Sequence, residues 1–411
     1  MSRLEHDIRQ TLQAQASVDL HDPGRLERVR ITRRRQQRMR RLTAGAVTIA
    51  AVLAIAVTAS LLPRDVTRTE PVTGPGPTTG PGPVETSEDA ASVPPAPAID
   101  ELAVRATWDP ASAATLPTAD EGLPADLDPI QVRTTGPLSG AALALAHEGG
   151  ALTVLDAAGW MRLPTPPGLT ASSTAALAPD GRKAAVVTSN GLAWLDLTDL
   201  PAASWIDVET PRSVRGEGVQ ITWFPPSDQV VLNSWRGGQR IDLVSGSVLS
   251  LPFLQGWAPT TVTPDGEVLA VGRSPRTVDE WVDDVPVSSI PIGGLEGIGA
   301  LTANRTTVAA TRIDTSHSDP GSATDRDGLA VFDRTTASTW AFLAFTGRSG
   351  QWVDGGEVVP VQWLASEVLL LSVLDPATGR RTLVRWTPQT SRLWRVSSYD
   401  AAFAITLAQL D

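Results

Sequence analysis

The chain has 411 residues, with 34 Lys and Arg against 45 Asp and Glu, a formal net charge of −11 and no cysteine. Without cysteine there are no disulfides, no zinc–thiolate site, no thiol catalysis and no lipid-modified N-terminal Cys. The charge is unevenly divided, at about +6 over residues 1–62, −4 over 63–100 and −13 beyond, and all thirteen Trp fall at or after Trp108, so the core is expected in the C-terminal part.

Residues 1–43 read as a short, basic, helical cytoplasmic segment. Leu4, Ile8 and Leu12 recur every four residues between polar side chains, the stripe of a short amphipathic helix. Asp22-Pro23 then supplies an N-cap followed by Pro at the first helical position, and helix formers run on from Arg25. Arg25 to Arg41 holds nine Arg and one acid. Within it, Arg33, Arg34, Arg35, Arg38, Arg40 and Arg41 fix topology and can meet anionic lipid headgroups. Nucleic acid is not an expected partner, because no folded module presents these charges.

Residues 44–62, AGAVTIAAVLAIAVTASLL, form a run without charge or Pro, long enough to cross a hydrocarbon core as one transmembrane helix. The arginines before it place the N-terminus in the cytoplasm and the remainder outside the cell membrane. Cleavage is the competing expectation, since Val57-Thr58-Ala59 resembles a signal-peptide site, but the basic region and apolar core are both longer than such peptides carry. From residue 63 to 100 the chain is Pro-, Gly- and Thr-rich, with nine Pro and almost no large apolar residue, and reads as a disordered spacer.

Residues 101–411 are expected to be all-β. Polar turns precede short alternating runs: Asp180-Gly181 before RKAAVVTS, Ser227-Asp228 before QVVLNSW, Asp265-Gly266 before EVLAVGR, Asn304-Arg305 before TTVAATR and Ala365-Ser366 before EVLLLSV. Second strands follow at GLAWLDLTD, QRIDLVSG, GLAVFDRTT and TLVRWTPQT, and an upstream copy is AALALAHEGGALTVLDAAG. Six units of about forty residues, built of short strands and turns, predict a β-propeller of six blades. A seventh blade assembled from the two ends stays open, with ring closure expected between 401–409 and a strand from 102–135.

The stretches Ala178-Pro179-Asp180-Gly181-Arg182-Lys183-Ala184-Ala185-Val186 and Thr263-Pro264-Asp265-Gly266-Glu267-Val268-Leu269-Ala270-Val271 resemble the strand–turn–strand repeat of TolB-like and WD40-like propellers. The Gly-His and Trp-Asp signatures of WD40 blades are absent. In layout the chain resembles actinobacterial membrane-anchored proteins that carry such a propeller outside the membrane. The Pro-Asp-Gly turns have a structural reason of their own: Pro presets φ, Asp caps the turn and Gly takes the positive φ.

No catalytic motif appears: G-x-S-x-G, H-E-x-x-H and the P-loop are all missing, and beyond residue 62 there are only two histidines, His147 and His317. No cofactor is expected. Asp314, Asp319, Asp325 and Asp327, in one loop with His317, form a weak Ca²⁺ candidate without EF-hand spacing, and otherwise a solvated hairpin insertion. Asp279-Glu280-Trp281-Val282-Asp283-Asp284 reads as an acidic surface loop with an exposed Trp. The expected function is a non-enzymatic binding or scaffold module for a protein or cell-envelope ligand. Two alternatives stand beside it: transmembrane signalling similar to anti-sigma regulators, with the propeller as sensor, and a hydrolase or lyase using paired acids in the propeller mouth.

Overall fold

The computed structural model describes residues 104–410 apart from 211–217, 255–258, 273–276, 283–284, 292–296, 314–327, 347–350 and 355. The basic segment with its six arginines, the apolar run 44–62 and the linker lie outside the described residues, as do Asp314, Asp319, Asp325 and Asp327. No helix among the described residues is long and apolar enough to cross a membrane.

Two strands precede the blades, β1 (Val104–Trp108) and β2 (Val132–Arg133). Blade 1 follows with β3 (Ala144–Glu148), β4 (Ala151–Asp156) and β5 (Gly159–Arg162). Blade 2 is β6 (Thr174–Leu177), β7 (Lys183–Thr188), β8 (Gly191–Asp196) and β9 (Ile206–Val208); blade 3 is β10 (Gln220–Phe224), β11 (Gln229–Ser234), β12 (Gly237–Asp242) and β13 (Val248–Leu251). Blade 4 is β14 (Thr260–Val262), β15 (Val268–Val271), β16 (Thr277–Val282) and β17 (Val285–Pro291); blade 5 is β18 (Gly297–Ala303), β19 (Thr307–Ile313), β20 (Gly328–Asp333) and β21 (Thr339–Phe345). Blade 6 is β22 (Val358–Ala365), β23 (Val368–Asp375), β24 (Arg380–Thr387) and β25 (Arg392–Asp400), and β26 (Ala404–Leu407) is the last strand described.

Blades 2 to 6 are antiparallel meanders in chain order, and their first strands lie beside one another around the centre. Each sheet is therefore sandwiched between two others. The second strands show the result: β7, β11 and β23 are buried on both faces over nearly their whole length, so their sequences run apolar without the in-and-out alternation of a half-exposed sheet.

Ring closure differs from the sequence expectation. The C-terminal strand does not pair with a strand from 102–135. Instead β26 pairs antiparallel with β3, from Ala404 opposite His147 to Leu407 opposite Ala144, and becomes the innermost strand of blade 1. No seventh sheet is present among the described residues. The segment 104–133 forms a belt around the outside: β1 runs parallel to β21 of blade 5, Thr118 and Asp126 bridge Arg395 and Ser398 of blade 6, and β2 runs parallel to β5 of blade 1. The sequence cannot tell belt from blade here, because an edge strand and a blade strand have the same local pattern.

The belt is anchored by buried apolar side chains and by ion pairs. Trp108, Ala113, Leu123 and Leu127 are all buried, and Leu127 shares one core with Leu370 and Leu383. Arg380 meets Asp126 at 3.1 Å and Asp128 at 2.8 Å, Arg385 meets Glu121, and Arg133 meets Asp156 at 2.8 Å.

Truncation after Asp400 removes β26 and leaves blade 1 without its inner strand. We expect the shortened chain to lose its cooperative unfolding transition in urea; a transition of unchanged midpoint and slope would contradict this closure.

Candidate functional site

Antiparallel order gives the propeller two unlike ends. The turns from first to second and from third to fourth strand share one end. The turns from second to third strand, and the links between blades, share the other.

The first end is cross-linked from blade to blade. Gly181 has φ +67°, and a Cβ there would lie 2.2 Å from the carbonyl oxygen of Ala142, so the turn needs glycine both for its conformation and for this close approach. The Gly181 carbonyl accepts from Ala142 N at 2.9 Å, and the Asp180 carboxylate accepts from Arg182 N at 3.0 Å. Lys183, the sole lysine, bonds the Asp228 carboxylate of blade 3 while lying 5.6 Å from the Trp194 ring. Gly266 has φ +86°, and Asp265 beside it pairs with Arg305 of blade 5 at 3.1 Å. Asn304 Nδ2 in turn donates to the Ser366 carbonyl of blade 6 at 3.1 Å. Asp180 thus caps its own turn, whereas Asp265, two blades away, reaches across to the next blade.

Over its described residues, 279–282, the acidic stretch departs from the surface-loop expectation. Thr277–Val282 is strand β16, Glu280 is buried, and Trp281 stacks on Phe253 with ring centroids 4.0 Å apart. Glu280 receives Arg334 Nε from blade 5 at 2.6 Å; Arg334 also bonds Glu267, and Nη1 reaches the carbonyls of Asn304 at 3.1 Å and Arg305 at 2.8 Å. Burial opposes the charge on Arg334, but the bonds to Glu280 and Glu267 outweigh it and hold its pKa above the usual guanidinium value. With its donors so engaged, the cluster is a clamp between blades 4 and 5. Sequence reasoning missed it because Glu280 and Arg334 lie 54 residues apart and only blade stacking brings them together.

None of the six innermost strands, TAAL, QITWF, TTV, GIGALTA, VVPVQWLA and AITL, contains an ionisable residue. They are joined instead by side-chain amides and hydroxyls: Gln220 donates to the Thr260 carbonyl at 3.3 Å, Gln362 to that of Ala408 at 3.0 Å, and Leu177 N to Thr406 Oγ1 at 3.0 Å. Among the described residues no group of His, Asp and Glu is placed to hold a metal ion.

The second end carries the exposed aromatic. Trp235 and Arg236 form the tip of the β11–β12 turn, closed beneath by Ser234 Oγ, which donates to the Gly237 carbonyl at 3.0 Å and accepts from Arg236 N at 3.2 Å. Trp235 is 54 % exposed, and the Arg236 guanidinium lies 4.5 Å from its ring centroid. Every other tryptophan among the described residues is buried or half-buried. The segment 314–327 with the Ca²⁺ candidates joins β19 to β20, a connection of the same kind. His147, near the β3–β4 turn, is buried and donates to the Thr170 carbonyl; burial sets its pKa below the ordinary imidazole value.

No family model matches the chain, and no curated protein matches it. Solved structures do. The chain is similar to YCF48 bound to D1 peptide, at 12% identity and TM-score 0.41 over 68% of this chain and 86% of that one. It is also similar to the Pan2 WD40 domain of Neurospora crassa, at 12% identity and TM-score 0.41 over 64% and 78%. A nidogen/laminin complex matches at 9% identity and TM-score 0.42 over 65% and 98%. The six sheets establish the six-bladed propeller on their own.

Replacing Arg334 with Met leaves two acids without their cation. We expect a stability loss of about 3 kcal/mol or more by urea unfolding, largely recovered when Glu267 and Glu280 are made Gln in the same chain.

Proposed function

We propose that the propeller is a non-enzymatic scaffold that captures a protein partner on the end bearing Trp235 and Arg236. The observation that carries this reading is the stacked Trp–Arg pair held at the tip of a closed turn, with the indole largely in solvent. Tryptophan and arginine are the residue types that dominate binding energy at protein interfaces, and a preset rotamer lowers the entropic cost of docking. The channel-wall strands, free of acids and bases, lend no support to the alternative of paired carboxylates acting in the mouth.

The finer reading is that the scaffold is displayed outside a cell membrane. It rests on the sequence of 44–62 and the arginines before it. A protein or envelope component outside the membrane is then the partner class, with lipid met by the apolar run and the basic segment. The signalling alternative has the same topology, and no observation favours it over scaffolding.

Changing both Trp235 and Arg236 to Ala in the full-length chain should weaken capture of a co-purifying partner at least tenfold, with the melting temperature held within about 2 °C. Undiminished capture would remove this turn from the interface. The cysteine-free chain also allows clean topology reporters. Ser172→Cys should react with an impermeant maleimide on intact cells and Gln15→Cys only after lysis; the reverse pattern would overturn the orientation.

A further inference from the structure

The belt covers the outer strands of blades 5, 6 and 1, and the apolar side chains there are buried: Leu343 and Phe345 on β21, Val396 and Tyr399 on β25, Trp160 and Met161 on β5. No strand lies outside β9, β13 or β17 among the described residues. Nine large apolar side chains are exposed among the described residues, and five of them sit on these three bare strands: Ile206, Val248, Leu249, Val285 and Val287. Among the described residues, half of the circumference is thus covered by the belt, and the other half carries exposed apolar side chains.

The three bare edges are not equivalent. β9 has only three residues, and β17 contains Pro286 and Pro291, which lack the N–H that pairing needs and so blunt that edge. β13 has no proline, and Val248 and Leu249 expose opposite faces of it at 39 % and 43 %. It is an edge open to strand addition.

Blade 1 supplies the pattern of what fits. There Val132 of β2 lies opposite Trp160 and Arg133 opposite Met161, and the Arg133 guanidinium crosses to Asp156, the last residue of β4, at 2.8 Å and 2.9 Å. Across β4, Trp160 faces Leu155 and Met161 faces Val154. In blade 3 the third strand also ends in an aspartate, Asp242, with Val248 facing Ile241 and Leu249 facing Arg240. By register Val248 corresponds to Trp160, Leu249 to Met161 and Asp242 to Asp156. Asp242 Oδ1 is taken by the turn amides of Val244 and Ser245, while Oδ2 accepts from Gln229 at 3.2 Å and keeps further acceptor capacity. Arg240 shares this face, but its guanidinium lies 3.8 Å over the Phe224 ring and bonds Gln229 at 2.5 Å.

We propose that the β13 edge of blade 3 binds an extended strand of a partner protein containing a Val-Arg pair. The strand runs parallel to β13 with Val opposite Val248, and its Arg opposite Leu249 reaches Asp242 as Arg133 reaches Asp156. The chain's own linker does not fit, because nine Pro between residues 63 and 98 cannot pair with the edge and the segment has few branched apolar residues. A second copy fits poorly too: the chain carries a net charge of −11, and Asp207 and Glu209 stand exposed beside Ile206 on the neighbouring blade edge, which favours a basic partner. This edge belongs to the same blade as the Trp235 turn but is formed by a different strand.

The test uses the full-length chain and a fluorescent eight-residue peptide with the sequence of residues 128–135, DPIQVRTT. Saturable binding is expected, weakened about tenfold by Asp242→Asn and by Leu249→Lys, and unchanged by Val285→Lys or Trp235→Ala. A peptide with Ala in place of its Arg should bind more weakly and be indifferent to Asp242→Asn, which isolates the ion pair from any effect on the turn. No saturable binding, binding indifferent to Leu249→Lys in a chain of unchanged melting temperature, or a dimer in light scattering that Leu249→Lys dissolves would each overturn the proposal.

Discussion

A ring of sheets is stable only when its first and last members meet, and here that meeting is the pairing of Ala404–Leu407 with Ala144–His147. Without it, blade 1 would have three strands and an inner edge open to the channel, and the faces of blades 6 and 2 would lose part of their cover. In a chain without cysteine there is no covalent substitute. Closure rests on four residues' worth of ladder, on Ile405 and Leu407 packing into the shared core of blades 6 and 1, and on bonds such as Gln409 Nε2 to the Trp363 carbonyl at 2.5 Å.

Much of the architecture is readable from turns and strands alone. Asp180-Gly181 and Asp265-Gly266 mark first-to-second-strand turns because a tight hairpin there needs positive φ, and the runs that follow them are second strands. The number of blades follows from repeating that unit. Sequence fails wherever an element is defined by what lies next to it. Val104–Trp108 has the composition of a blade strand but adds in parallel to a complete blade, and the acids at 279–284 look solvated until blade 5 brings Arg334 against Glu280. Likewise Trp235 is one tryptophan among thirteen, distinguished only by its place at a turn tip.

The charges follow a plain logic. Acids of the belt, Glu121, Asp126 and Asp128, meet arginines on blade 6, so the belt is held there by contacts that weaken with salt as well as by the buried Leu127. The Glu267–Arg334–Glu280 clamp is less accessible to counterions, with the Arg334 and Glu280 side chains each 9 % exposed. The most exposed pair, Arg305–Asp265 at 72 % and 49 %, joins blades 4 and 5, so screening by salt acts on ring and belt alike.

The position of β26 also sets an order of events during synthesis. The strand that completes blade 1 leaves the ribosome some 260 residues after its partner β3. Blades 2 to 5 can stack as they appear, but the ring cannot shut until β26 has followed them. The nascent domain is therefore held as an open arc while the intervening blades are made, with the inner edge of its first blade waiting for a strand encoded far downstream.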